Sequence, residues 1–214
     1  MNGRNFLQNR WFGLFDRTPA SEAAYQRVVG RYKANRLAYH NLAHLYFCFT
    51  ALEQYSYMAD DHTVVQAAIW YHDVIYDPKR SDNEAQSAAM AAEDLPHLRI
   101  QGEPIDAQVV QGLILATKHT SAPEGKNARL LVDIDLAILG TDDRKYQRYA
   151  RAIRSEYSWV SEDDYRKGRA KVLQSFLDRT FIFSTEPFQA QYEARARCNL
   201  QNEIMELLGS PRSM

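Results

Sequence analysis

Two histidines and two aspartates in this sequence have the residue types of a metal site. They are His44, His72, Asp73 and Asp135. Imidazole nitrogens and carboxylate oxygens together suit Mn²⁺, Fe²⁺, Zn²⁺ or Ni²⁺, and suit Mg²⁺ less well. An ion held by four such groups keeps open positions for water and a substrate, so this set could activate water for hydrolysis.

The spacing of apolar residues predicts that the first three of these groups point inward. On a helix, His72 shares a face with Val65 and Ala68, which precede it by two turns and one turn. Asp73 is its neighbour, and burying a lone carboxylate costs several kcal/mol unless a cation accompanies it. His44 lies on the inward face of an earlier helix. The sequence therefore predicts a buried cation where these helices meet.

A fourth ligand is expected from the apolar segment 130–139. Its two acids are Asp133 and Asp135, and Asp135 follows Leu131 by one helical turn. Two acids in a short apolar helix need a partner inside the protein. Either of them could supply the ligand.

Four blocks in this order resemble the HD superfamily, a group of helical bundles defined by the pattern H…HD…D. The blocks are YHNLAH at 39–44, YHDVIYDP at 71–78, DNE with SA within 82–88, and DIDLAILG at 133–140. The likeness is closest to a bacterial branch described as metal-dependent HD phosphohydrolases, and it covers most of the chain. It implies His44, His72, Asp73 and Asp135 as the metal ligands, Asp135 being the later acid of its pair.

The resemblance also implies an activity, the hydrolysis of a phosphate monoester or a nucleotide-like substrate by a metal-activated water. It implies one divalent ion, with room for a second. Asp73 would bind through one oxygen and take the water's proton through the other. Lys118 and His119 resemble a late basic position that contacts phosphate or a second metal, and Glu84 could transfer protons as well as cap a helix.

Two other functions stay open. One is an HD-type iron oxygenase, which needs additional ligands such as Glu84 or His119. The other is a non-catalytic module, in which the ion stabilises the bundle and the stripe Arg144, Arg148 and Arg151 binds RNA or a protein partner. Each group also has a purely structural interpretation, because histidines occur in cores and basic stripes normally face solvent.

The elements that position these residues are predicted to be helices. Apolar residues recur at helical spacing along most of the chain, and no stretch shows sustained strand-like alternation. We predict an all-α, single-domain bundle of the HD type over 1–214, with eight or nine helices, the metal site at its centre and residues 1–18 as an arm packing on it. Predicted boundaries are a cap at Thr18, a cap at Asn41, a helix from Asp61 to Ile75, a capping box at 81–84, a helix opened by Pro104, and a helix over 130–139.

Composition limits the other function classes. The 214 residues carry a net charge of −1, so the whole molecule has no field that would gather nucleic acid. No stretch approaches the roughly 18 apolar residues of a membrane span, and the first residues lack the apolar run of a signal peptide. Cys48 and Cys198 are far apart, so we expect ordinary buried thiols and a cytoplasmic protein. The expected partner is a small phosphorylated substrate, not a membrane or nucleic acid, and a homodimer is one option for the assembly.

Overall fold

The structure is a computed structural model, and it describes residues 3–34 and 37–209. Of the described residues, 71% are helical, which confirms the predicted all-α class. In the described ranges, ten helices have ten or more residues, where the sequence predicts eight or nine. The helices are α1 (Gly3–Leu14), α2 (Pro19–Ala34), α3 (Leu42–Tyr55), α4 (His62–Tyr71), α5 (Asn83–Asp94), α6 (Ala107–Ala116), α7 (Lys126–Leu136), α8 (Asp143–Glu156), α9 (Glu162–Leu177), the three-residue α10 (Glu186–Phe188) and α11 (Ala194–Leu207).

The chain divides into two compact units, Met1–Ile134 and Asp135–Met214, and the boundary falls inside α7. The first unit holds α1 to α6 and most of α7, and the second holds the end of α7 and the helices that follow. The expectation of one domain over 1–214 stays a prediction. No helix of the described ranges combines the length and the hydropathy that a membrane crossing needs.

Helix α4 forms the centre of the first unit. Seven of its ten residues are buried, so it has no solvent-facing side, and it packs against α3, α5 and α6. A helix that is apolar on all sides must be covered on all sides. Its N-terminus is capped by Asp61, whose carboxylate accepts hydrogen bonds from the backbone N–H groups of Thr63 and Val64.

The predicted arm at 1–18 contains a helix, α1, that sequence spacing does not reveal. Trp11 is fully buried, and its indole N–H lies 3.1 Å from the Ser21 carbonyl oxygen and 3.0 Å from the Ser21 hydroxyl. Its ring meets that of Trp70 edge-on, with the centroids 5.1 Å apart. Aromatic pairs in this arrangement add to the free energy gained from burial, so α1 is anchored to α4.

Two predicted helix boundaries are wrong. Helix α4 ends at Tyr71 and not at Ile75, with His72 as its C-cap. The capping box at 81–84 does not form, because α5 begins at Asn83 and the N-cap residue Asp82 makes no capping hydrogen bond with its side chain. The Asp82 carboxylate instead binds the guanidinium of Arg80, at 2.8 and 2.6 Å. Asp82 therefore pairs with Arg80 and does not cap α5 with its side chain.

Two further boundaries differ. Pro104 lies in a two-residue strand, β2 (Glu103–Pro104), which pairs antiparallel with β1 (Arg99–Ile100). Helix α6 therefore starts three residues later, where Asp106 caps it. The predicted helix over 130–139 begins earlier, at Lys126, and its final turn tightens into a 3₁₀ helix over Ala137–Gly140.

The second unit is held together by a buried polar cluster. Arg169 and Glu203 form an ion pair of 2.8 Å with both side chains at most about one-tenth exposed, and the Tyr146 hydroxyl donates to the same carboxylate. Pairing and hydrogen bonding together offset the desolvation of these charges.

A second close contact in this unit involves Gly140, which lies against the backbone of Tyr192. A Cβ atom on residue 140 would have no room there.

Candidate metal centre

The histidine of the His-Asp pair lies at the C-terminus of α4. His72 is 1% exposed, so its predicted inward orientation is confirmed. Its Nδ1 lies 2.9 Å from the carbonyl oxygen of Ile69. Because a carbonyl can only accept, Nδ1 carries the proton, and in the neutral ring the lone pair is on Nε2. A hydrogen bond of this kind is the usual way in which a metal-binding histidine is oriented.

The second histidine faces the first across the interior. His44 is in the first turn of α3, which Asn41 caps through the backbone N–H of Ala43, and it is 3% exposed. Its Nε2 lies 3.0 Å from the Nε2 of His72. The prediction that His44 points inward is confirmed.

Asp73 completes a triangle of donor atoms. Its Oδ2 lies 3.1 Å from the Nε2 of His72 and 3.4 Å from the Nε2 of His44. Burial raises the pKa of this carboxyl, but when the rings are protonated the charges of His72 and His40 and hydrogen bonds from His44 and His72 outweigh burial, and they hold that pKa well below its ordinary range. The carboxyl is therefore ionised and available as a ligand.

The three distances fit one shared ion. Two ligand atoms that each lie about 2.1 Å from an ion are about 3.0 Å apart at a right angle and about 3.4 Å apart at a tetrahedral angle. The observed separations of 3.0, 3.1 and 3.4 Å cover this interval. Two nitrogens and one carboxylate oxygen in this arrangement suit Mn²⁺, Fe²⁺ or Zn²⁺.

The fourth predicted ligand also reaches this cluster. Asp135 lies in the last turn of α7 (Lys126–Leu136). Ligand atoms of His44, Cys48, His72 and Asp135 all lie within 4.8 Å of one another. Of the two candidate acids, Asp135 is therefore the one in this group, although Asp133 is the more deeply buried.

Sequence reasoning assigns Cys48 no role, yet the structure places its thiol among the candidate ligands. Cys48 follows His44 by one turn of α3 and is 1% exposed. Burial raises the pKa of its thiol, but the nearby His44 and His72 outweigh burial and leave that pKa below its ordinary value. The sequence signal that could have identified Cys48 is its i, i+4 spacing from His44, which places the two side chains on one face of α3. The expectation that Cys198 is also buried is wrong, since it lies on the solvent side of α11.

The segment after α4 is fixed to α5 by two side chains. The Ser87 hydroxyl accepts from the backbone N–H of Ile75 at 3.1 Å and donates to the carbonyl of Ile75 at 3.2 Å. The Asn83 side chain makes the same pair of bonds with the backbone of Asp77, each at 3.0 Å. Asp73 follows the end of α4. The backbone just after it turns along a path that these hydrogen bonds to α5 hold in place.

The remaining predicted site residues lie near the start of α5 or the end of α6. Glu84 is half-buried in the first turn of α5. The Nζ of Lys118 is 3.1 Å from the carbonyl oxygen of Ser81, which joins the end of α6 to the start of α5. His119 has φ of +58°, a left-handed conformation that is rare for a residue with a side chain.

One residue that the sequence interpretation leaves out lies beside the site. His40 stacks on Tyr76 with the ring centroids 3.6 Å apart, and its charge contributes to the low pKa of Asp73. By contrast, Arg144, Arg148 and Arg151 are exposed along α8, as expected of a solvated face.

No family model, curated protein or solved structure matches this chain. The likeness to the HD superfamily therefore depends on the four sequence blocks alone.

Proposed function

We propose that this chain is an HD-type metal-dependent phosphohydrolase that hydrolyses a phosphate monoester or a nucleotide-like substrate. One observation carries the proposal: the Nε2 atoms of the buried His44 and His72 and the Oδ2 of the largely buried Asp73 form a triangle with sides of 3.0 to 3.4 Å. A free thiol in the interior is typical of a reducing compartment, so we place the activity in the cytoplasm.

The ligands of the proposed ion are His44, His72, Asp73 and Asp135. A divalent ion held there would lower the pKa of a bound water from about 16 toward about 7 and neutralise charge that develops on phosphoryl oxygens. Asp73 has a second carboxylate oxygen, and this oxygen would accept the proton of the attacking water.

The basic residues at the end of α6 would hold the phosphate. The Lys118 ammonium is exposed and fixed to the Ser81 carbonyl, so its position is set before substrate arrives. Ammonium groups bind phosphate as point charges. His119 would add a second donor, and Glu84 would pass the proton onward to solvent.

The test begins with metal analysis of protein purified without added metal. The metal found is then restored, and hydrolysis is measured on a panel of phosphate monoesters and nucleotides. We expect His72→Ala and Asp73→Ala to lose turnover by more than about 100-fold, since the loss of outer partners alone costs 10- to 100-fold at such sites. His97→Ala is the matched control, because His97 is an exposed histidine outside the site. Full activity in either site variant, or no hydrolysis with any of Mn²⁺, Mg²⁺, Ni²⁺, Zn²⁺ and Fe²⁺, would refute the proposal.

An iron-dependent oxygenase is the second candidate. Two histidines and one carboxylate on neighbouring corners of an ion are also the ligand set of non-haem Fe²⁺ oxygenases. Redox-active iron in the purified protein, together with consumption of oxygen and no hydrolysis, would favour this candidate. Salt-sensitive RNA binding without turnover would instead favour a non-catalytic module.

A further inference from the structure

Tyr32 of α2 reaches the end of α4 through its side chain. The residue is 2% exposed, and its hydroxyl donates to the backbone carbonyl of Trp70 at 3.3 Å. Trp70 is two residues before His72 in the chain. The proposed chemistry does not use this tyrosine, so its buried hydrogen bond needs an explanation of its own.

The hydrogen bond of Tyr32 completes the C-terminus of α4. The last four carbonyl groups of a helix have no partner within the helix. In α4, His72 supplies the donors for two of them, through its backbone N–H and its Nδ1, and the backbone N–H of Val74 supplies a third. The remaining group is the carbonyl of Trp70, which accepts from the Tyr32 hydroxyl. Of these donors, only Tyr32 comes from another helix, so it ties the turn to α2.

The same hydroxyl lies beside the aspartate of the candidate centre. A hydrogen bond from the backbone of Asp73 reaches the phenol oxygen, and the charges of Asp73 and His44 both act on that group. Burial, followed by the charge of Asp73, raises the pKa of Tyr32 well above its ordinary value. The hydroxyl therefore keeps its proton at neutral pH and stays a donor. Tyr32 is uncharged, so it acts on the turn through its hydrogen bonds.

We propose that Tyr32 is a positioning residue of the metal centre, whose hydroxyl fixes the turn that brings the Oδ2 of Asp73 to 3.1 and 3.4 Å from the two site histidines. Tyr32 holds the backbone at the start of this turn, and two side chains of α5 hold the backbone after Asp73. Groups outside the ligand set raise metal affinity by orienting the ligands. This inference rests on the proposed function only in requiring that the centre binds a divalent ion.

Tyr32→Phe tests the hydroxyl alone, because phenylalanine keeps the ring. We expect a loss of about tenfold in affinity for Zn²⁺, the lower end of the range for an outer partner of a metal ligand. The matched control is Tyr71→Phe, which removes another buried hydroxyl of the first unit, one that donates to Asp94 at 3.0 Å. The control should keep its Zn²⁺ affinity within about twofold of the wild type. Titration calorimetry with a competing chelator measures both affinities, and thermal unfolding of the metal-free proteins measures the stability that each variant loses.

The outcomes separate this inference from the proposed function. A Tyr32→Phe protein that binds Zn²⁺ as tightly as the wild type, or no more weakly than Tyr71→Phe, would overturn the role of Tyr32 and leave the phosphohydrolase proposal intact. A loss of stability in Tyr32→Phe with unchanged Zn²⁺ affinity would have the same meaning, because the tyrosine would then be purely structural. A wild type that binds no divalent ion would overturn both.

A second measurement needs no variant and decides the question even where Tyr32→Phe does not fold. In the metal-free wild type, NMR should show a cross-peak between the hydroxyl proton of Tyr32 and the backbone amide proton of Asp73, because these two groups are hydrogen bonded. The cross-peak should persist after one equivalent of Zn²⁺ is added. Its absence from the metal-free protein would overturn the inference, since Tyr32 would then not hold the turn before the ion binds.

Discussion

Ser87 of α5 bonds to the segment that follows α4, residues 72–77, which we call the Asp73 segment. Replacing this serine tests whether α5 holds that segment in place. Ser87 is fully buried, and its hydroxyl satisfies both the N–H and the C=O of Ile75. Ser87→Ala leaves these two backbone groups without that partner. An unsatisfied buried polar group costs about 1 to 3 kcal/mol, and Ile75 is only half-buried, so each group should cost about 1 kcal/mol.

The expected loss in the free energy of unfolding is therefore about 2 kcal/mol, or about 4 to 8 °C in Tm for a chain of this length. Urea unfolding followed by tryptophan fluorescence measures it, because Trp11 and Trp70 are both buried in the same unit as Ser87. Ser175→Ala is the matched control, since that hydroxyl is exposed and bonds only to the Val172 carbonyl of its own helix. The control should change stability by no more than about 0.5 kcal/mol. A Ser87→Ala protein as stable as this control would refute the claim that α5 positions the Asp73 segment.

Two further predictions concern a close contact and a helix cap. In Gly140→Ala the new Cβ would lie 2.5 Å from the Cβ of Tyr192 and 2.6 Å from its carbonyl oxygen, so unfolding measurements should show a loss of about 1 to 3 kcal/mol. Gly168→Ala, which meets no atom within 4 Å, should gain about 0.5 to 1 kcal/mol, and a change of the same sign in both would contradict the contact. Asp61→Ala should cost about 1 kcal/mol at neutral pH through loss of the α4 cap. Burial raises the pKa of Asp61, but its hydrogen bonds outweigh burial and hold that pKa below 3.8, so the stabilisation is complete above that value and disappears as pH falls through the folded pKa. A difference between wild type and Asp61→Ala that persists in full at about pH 1, measured by urea unfolding across a pH series, would argue against this account.

The sequence predicts the inward histidines well because helical periodicity is a local signal. The spacing of His72 from Val65 and Ala68 places it in the core, and the structure confirms that position. The same periodicity predicts the wrong end for α4, because the turn after Tyr71 depends on hydrogen bonds with Ser87 and Asn83 in the next helix. Such non-local hydrogen bonds leave no periodic trace in the segment that they shape.

The thiol and the acid pair show a different limit. The spacing of His44 and Cys48 puts both on one face of α3, but only the positions of α4 and α7 reveal that this face meets other ligands. For the same reason, local pattern alone does not separate Asp133 from Asp135. The sequence does not predict helix α1, because its anchoring depends on a contact between Trp11 and Trp70, which are 59 positions apart along the chain.

The burial of α4 on every side has a consequence for the motions of the candidate centre. Amide hydrogens exchange through local opening where a helix has an exposed, weakly packed side, and through global unfolding where it has none. The backbone of Val65–Tyr71 should thus be among the slowest-exchanging parts of the first unit, in contrast to helix ends that fray. His72 extends directly from this protected helix, and its ring is tied back to Ile69. The imidazole is consequently held in place by the core before any ion arrives, so that binding requires little loss of conformational entropy on this side of the centre.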